Sequence, residues 1–219
     1  MNRRQALKNI GYGAGFFVVG PTALSILQGC KKEPENKWQP VFLSAGQGLI
    51  LTKILDVIIP ATDTPGANDV NVAGFIDAYM EKVLSPEEKQ NFKRSAEAFS
   101  QAFKNELEKE AEEGNTEDFL RIIKKFFEAT PAQQEEFARR SGETQDPMDK
   151  TPEEENLFTP EQADSLAFGY LKDIRNMGIW AWKTSEEIGE NVLWYDPVPG
   201  EYIPCAPITE LGSGRAMSL

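Results

Sequence analysis

The stretch Ser85-Pro86-Glu87-Glu88, with the apolar stripe that follows it, decides the fold class of this sequence. Ser85 is suited to cap a helix, Pro86 to occupy the first helical position, and Glu88 to complete a capping box. Apolar residues then recur every third or fourth position: Phe92, Ala96, Phe99, Phe103 and Leu107. This spacing keeps them on one helix face, so we predict a helix to about Glu113 with the stripe facing a core rather than a cofactor.

Similar helix signals occur on both sides of this stretch. Apolar residues at helical spacing predict helices over residues 44–59 and 71–84. Downstream we predict a helix capped by Asn115 or Thr116, a short helix from Thr130 to about Arg140, and a long helix from Thr159 to about Asn176. The polar segment 141–156 is expected to be an exposed loop. The chain is therefore predicted to be mainly α, a single-domain helical bundle with an aromatic, proline-rich irregular C-terminal segment.

The N-terminal residues are typical of export and lipid attachment rather than of the fold. Arg3 and Arg4 precede an apolar run that is broken by glycines, and the run ends in Leu27-Gln28-Gly29-Cys30. The arginine pair resembles a twin-arginine signal, and the last four residues resemble a bacterial lipobox. We predict an export signal over 1–29, lipid on Cys30, a tether over 30–43 and the helical domain over 44–219. The alternatives are export by the general secretory route and a retained membrane-spanning anchor.

Composition limits the chemistry and the partners. The formal charge is -12, and it becomes -15 without the leader, which holds three basic residues and no acidic one. Such an acidic chain is unsuited to nucleic acid, and lipid on Cys30 is a better membrane attachment than a basic patch. The absence of histidine excludes the commonest metal ligand and histidine-based catalysis. Cys205 has no intrachain partner if Cys30 is lipidated, and we expect it to be a small buried side chain.

Two regions carry the candidate binding residues. One is a proline- and glycine-bearing loop after the first helix, where Thr62 and Asp63 can bond backbone groups and Gly66 allows unusual dihedrals. The other is the aromatic C-terminal part, where large rigid side chains are typical of interfaces. The predicted partner-binding residues are Pro60, Thr62, Asp63, Pro65, Gly66, Trp180, Trp182, Trp194, Tyr195, Asp196, Pro199 and Tyr202.

These two regions resemble the small third subunit of the membrane-bound gluconate 2-dehydrogenase family. The first match is Ile58-Ile59-Pro60-Ala61-Thr62-Asp63-Thr64-Pro65-Gly66-Ala67, followed by Val72-Ala73-Gly74-Phe75-Ile76-Asp77. The second begins at Thr184-Ser185-Glu186 and continues through Tyr195-Asp196-Pro197-Val198-Pro199-Gly200-Glu201-Tyr202, with Cys205 shortly after. The order of these segments behind an arginine-pair leader makes the resemblance specific. The lipobox departs from the family and would make this subunit itself an anchor.

The resemblance implies a non-catalytic accessory subunit with no cofactor of its own. In such enzymes a large FAD-bearing subunit oxidises a sugar or sugar acid, and a cytochrome subunit carries electrons to the membrane. The expected partners are therefore a large FAD-dependent dehydrogenase subunit and, where present, a cytochrome subunit. The expected location is the periplasmic side of a membrane, or the outer membrane, of a Gram-negative bacterium.

Two other functions remain open from the residues themselves. A stand-alone lipoprotein could bind a small ligand or carbohydrate by stacking it on Trp180, Trp182, Trp194, Tyr195 and Tyr202. A carboxylate-based enzyme could use Asp63 and Asp196 as an acid/base pair if their loops meet in space. A cleft lined by solvent-facing aromatic rings would favour the first, whereas a flat aromatic patch would favour a protein partner.

Overall fold

The computed structural model describes residues 38–144, 158–195, 200, 205–207, 209–210 and 212–218. The chain divides into two compact units, Met1–Trp38 and Gln39–Leu219, and all the helices named below belong to the second. Arg3, Arg4 and Cys30 lie outside the described residues, and so does most of the polar segment 141–156.

The second unit is mainly α, which confirms the predicted fold class. Its α-helices are α1 (Ala45–Ile58), α2 (Val72–Val83), α3 (Pro86–Leu107), α4 (Thr116–Phe127), α5 (Pro131–Thr144) and α6 (Pro160–Lys183). Helical turns at Ala111–Glu113, Ile188–Val192 and Gly212–Gly214 complete the described elements. Capping boxes at Ser44, Ser85, Asn115 and Thr159 open α1, α3, α4 and α6. In each box the cap side chain accepts a backbone N–H and the third helical residue bonds back to the cap.

The ends of the helices differ from the predictions more than their starts do. Helix α3 ends at Leu107 instead of about Glu113, because Glu108 adopts a left-handed conformation with φ 54° while its N–H bonds the Lys104 carbonyl. Helix α5 continues past Arg140 to Thr144, where Ser141 lies against Gly169 of α6. The first residues of the predicted 141–156 loop are therefore helical.

The largest difference concerns α6, which continues to Lys183 rather than ending near Asn176. Residues that were assigned to the irregular C-terminal segment, including Trp180 and Trp182, are therefore helical. Gly178 and Ala181 are buried on the inner face of this last part, so packing against the bundle continues the helix past Asn176, and no proline interrupts the chain between Pro160 and Pro197.

Helix α6 lies at the centre of the bundle and packs against α1, α2, α3 and α5. Tyr170 of α6 is fully buried against Phe92 and Phe99 of α3, and Phe99 also stacks on Phe119 of α4. Burial raises the pKa of the Tyr170 hydroxyl well above its usual range. Within the described part of the chain this hydroxyl has no hydrogen-bond partner, so Tyr170 contributes to the core through its ring.

A buried carboxylate fixes the start of the domain. The Asp77 side chain of α2 is fully buried and accepts three backbone N–H bonds, from Val41 at 2.7 Å, Phe42 at 3.1 Å and Leu43 at 2.8 Å. Phe42 and Leu43 are themselves buried. The last residues of the predicted 30–43 tether therefore fold with the helices.

Replacing Asp77 with Asn should destabilise the domain by about 2 to 3 kcal/mol. An amide keeps one acceptor oxygen but turns an N–H₂ group toward a buried backbone N–H, which loses charge-assisted hydrogen bonds. Urea unfolding of the two proteins measures the difference. Asp63→Asn is the matched control, since Asp63 is exposed and bonds the neighbouring Thr62 hydroxyl. Equal losses in both variants would contradict the role given to the Asp77 bonds.

A candidate partner-binding site

The loop between α1 and α2 is a closed turn held by its own backbone. The Ala67 N–H donates to the Ile59 carbonyl at 2.9 Å, and the Thr62 N–H donates to the Thr64 carbonyl at 3.0 Å. The Asp69 carboxylate accepts the Gly66 N–H at 2.7 Å. Pro60, Thr62 and Asp63 are exposed, whereas Gly66 and Ala67 are buried. The loop therefore presents its first half to solvent.

Gly66 is needed for a reason other than the one expected from the sequence. It does not adopt a positive φ, unlike Gly200, Gly212 and Gly214. A Cβ at this position would lie 2.5 Å from the Ala61 backbone nitrogen and 2.9 Å from the Ile59 oxygen. Glycine is required here because two backbone segments cross at close range.

Trp182 joins this loop to the end of α6. Its indole N–H donates to the Pro65 carbonyl at 2.9 Å, across 117 positions of sequence. Nearby on α6, Gly178 allows Leu55 of α1 to approach so closely that a Cβ would lie 2.7 Å from its Cδ2. The loop and the end of α6, which hold several predicted binding residues, are thereby brought to the same part of the bundle.

An exposed aromatic cluster lies between α2 and α6. The Trp180 ring meets Phe75 at 5.2 Å and Tyr79 at 5.5 Å between centroids, in both cases edge to face, and Phe75 and Tyr79 lie 6.3 Å apart. Trp180 is 46% exposed and Phe75 43%. We call these three residues the aromatic patch. Ile179 and Val83, next to it on α6 and α2, are also exposed.

Phe75 and Tyr79 were absent from the predicted binding residues because they were counted with the apolar face of α2. The signal that could have identified them is the width of that face. Phe75, Tyr79 and Val83 form one stripe at four-residue spacing, while Ile76 and Met80 form a second. Ile76 and Met80 of the second stripe are buried. The first stripe lies at the edge of the bundle, where Phe75 and Val83 are exposed and Tyr79 is half-buried.

Residues 212–218 near the C-terminus pack against Trp194, and we call them the C-terminal hook. The Trp194 N–H donates to the Ala216 carbonyl at 2.8 Å, and the Ser218 N–H donates to the Trp194 carbonyl at 2.7 Å. Gly212, with φ 56°, packs directly against the Trp194 ring. Trp194 is half-buried rather than a free stacking surface, whereas Tyr195 is 63% exposed. Asp196, Pro199 and Tyr202 lie outside the described residues, so their predicted roles stay predictions.

Cys205 differs from the expectation of a buried side chain, since it is free and exposed. The described residues that follow it, Ala206 and Pro207, are not buried either, so this part of the chain lies at the surface.

A separate groove of about 300 Å³ lies on another part of the bundle. It is lined by Phe127, Gln134, Glu135, Ala138, Phe168, Lys172 and Arg175. Its charges are mixed, Arg175 lies over the Phe127 ring, and none of the predicted binding residues borders it. Across the described residues no group of three acidic or cysteine side chains could hold a metal ion. None of the helices described is long and apolar enough to span a membrane.

These features define a class of protein: a helical domain that exposes large aromatic side chains on two packed helices, as partner-binding proteins do. A family model described as Gluconate 2-dehydrogenase subunit 3 matches residues 45–200. The match covers well over half of the chain, so the chain belongs to this family, and the predicted resemblance is confirmed. Membership indicates an accessory subunit of a dehydrogenase. No curated protein sequence and no solved structure matches the chain.

Replacing Trp182 with Phe should loosen the loop without disturbing the bundle. The variant keeps an aromatic ring but leaves the Pro65 carbonyl without its donor, which we expect to cost about 1 kcal/mol. Hydrogen exchange should become faster at Ala67, whose N–H closes the turn. Trp180→Phe, which leaves the Pro65 bond intact, serves as the control. Unchanged exchange at Ala67 in the Trp182 variant would show that the loop does not depend on α6.

Replacing Gly212 with Ala should detach the C-terminal hook. The new Cβ would collide with the Trp194 ring, in a left-handed conformation that already disfavours alanine by about 1 kcal/mol. Trypsin should then cut more rapidly after the exposed Arg215. Gly214→Ala is the matched control, because Gly214 also has a positive φ but no neighbour within 4 Å of an added Cβ. Equal cleavage of the two variants would rule out the contact with Trp194 as the cause.

Proposed function

We propose that this chain is a non-catalytic accessory subunit that binds a large FAD-dependent sugar or sugar-acid dehydrogenase and holds it at a membrane. The observation that carries the proposal is the aromatic patch of Phe75, Tyr79 and Trp180, which lies within the region that matches the family. The proposal assigns the FAD to the partner and no cofactor to this chain. A cytochrome subunit is a further partner where one is present.

The contacts of the site support protein binding more than ligand binding. Trp180 meets Phe75 and Tyr79 edge to face, and Phe75 and Tyr79 lie 6.3 Å apart with an angle of 19° between their planes, so the three rings pack on one another and leave no cleft between them for a sugar ring. Trp194 and Trp182 are engaged by the chain itself, through the C-terminal hook and the Pro65 carbonyl. Of the aromatic residues that the carbohydrate hypothesis would use, Trp180 and Tyr195 are the exposed ones in the described part of the chain.

Carboxylate catalysis has weaker support. Asp63 is exposed on the loop and accepts the Thr62 hydroxyl at 3.1 Å, which is the local turn bonding typical of an aspartate in this position. A catalytic pair would need a second carboxylate facing it, and Asp196 lies outside the described residues.

The membrane attachment in this proposal depends on the leader. In this proposal Arg3 and Arg4 direct export, and Cys30 of the lipobox carries the lipid. Lipid attachment suits an acidic chain, because a charge of -15 after cleavage is repelled by anionic headgroups and cannot provide adhesion of its own. Two acyl chains give stable anchoring, whereas a single chain gives marginal binding.

The proposal is tested by co-purification from native membranes. The tagged full-length chain, extracted in mild detergent, should recover a larger chain that carries a flavin absorbance spectrum. Cys30→Ser should move both proteins from the membrane fraction to the soluble fraction while they remain bound to each other. Arg215→Ser, far from the lipobox in sequence, is the control for nonspecific loss of membrane attachment. Recovery of the chain alone, with no flavin, would contradict the accessory role.

A further inference from the structure

We propose that the aromatic patch on α2 and α6 is the surface covered by the dehydrogenase subunit, and that Trp180 is its central contact. This inference rests on the proposed function and adds the surface to it. Trp180 touches both other rings of the patch, and nearly half of its side chain remains open to solvent. Aromatic side chains near the middle of an interface contribute most of the binding free energy in many complexes.

The patch is held rigid before any partner arrives. Tyr79 and Phe75 are fixed on α2, whose opposite face is tied to residues 41–43 by the three Asp77 bonds. Trp180 is fixed on α6, which is held to α1 by the close contact at Gly178 and to the loop by the Trp182 bond. A preformed surface loses little conformational entropy on binding, which favours a specific partner over loose adhesion.

The negative charge of this chain limits which molecule can cover the aromatic patch. A second copy of this chain would bring together two proteins that each carry a charge of -15 after cleavage of the leader, which disfavours self-association. An anionic membrane surface is disfavoured for the same reason. Exposed carboxylates of Asp63 and Asp69 on the loop, and of Glu186 and Glu187 after α6, complement a basic partner surface. The family match over 45–200 contains both helices of the patch and points to the dehydrogenase subunit.

Photo-crosslinking in the producing cells tests which molecule covers the patch. A photoreactive phenylalanine placed at Ile179 or Tyr79 of the full-length chain should form an adduct with the large flavin-bearing chain. Leu120 is the matched control position, because it is an apolar residue on α4 with 41% exposure, against 43% for Ile179. An adduct with a second copy of this chain, or with lipid, would overturn the proposal, and so would equal adducts from positions 120 and 179.

Side-chain truncation tests the energetic role of Trp180. In co-purification titrations with the recovered flavoprotein, Trp180→Ala should bind about 30-fold more weakly, the change expected for a central interface residue. Ile179→Arg should weaken binding without altering the three ring contacts, whereas Leu120→Arg should leave it unchanged. Circular dichroism and thermal unfolding verify that each variant folds.

The two proposals fail in different ways. If the wild-type chain recovers no flavoprotein, the proposed function is wrong and the surface assignment falls with it. If the wild-type chain recovers the flavoprotein and the Trp180→Ala and Ile179→Arg variants bind as tightly, the accessory role stands and the surface assignment is wrong.

Discussion

The architecture depends on the small residues of the central helix α6. This helix packs against α1, α2, α3 and α5, and its short buried side chains let some of these neighbours approach closely, while large ones such as Tyr170 fill the core. Its buried face includes Ala163, Ala167, Gly178 and Ala181. At Gly178 an added Cβ would lie 2.7 Å from Leu55 Cδ2, so the Leu55 side chain would have to shift. Since the same helix carries Trp180 and Trp182 a few residues later, this packing also sets the position of the candidate site.

The buried Asp77 carboxylate is the second constraint, and it links the beginning of the domain to α2. Burying an ionised carboxylate is costly unless its oxygens are bonded, and here three consecutive backbone N–H groups meet that need. The bonds hold residues 41–43 against the inner face of α2, while on the opposite face Phe75 is exposed and Tyr79 is half-buried. The same helix, α2, therefore positions both residues 41–43 and the two patch residues Phe75 and Tyr79.

Helix starts could be predicted better than helix ends. Ser85 and Thr159 are caps in the structure as predicted, Asn115 rather than Thr116 caps α4, and Ser44, where the first helix was predicted to begin, caps α1. A capping box is a local signal contained in four residues. The ends of α3, α5 and α6 were misplaced. Glu108 ends α3 in a left-handed conformation without a glycine, and α6 continues because Gly178 and Ala181 find neighbours that are distant in sequence.

The sequence by itself determined the mainly α fold and the family, because periodicity, caps and turn residues act over short distances. Only the tertiary structure decided which aromatic residues are available. In the folded chain Trp182 donates a hydrogen bond to Pro65, and Trp194 packs against the C-terminal hook. Trp180 stays exposed beside Phe75 and Tyr79. An apolar side chain has the same hydrophobicity in either place, so its exposure depends on whether another part of the chain is near enough to cover it.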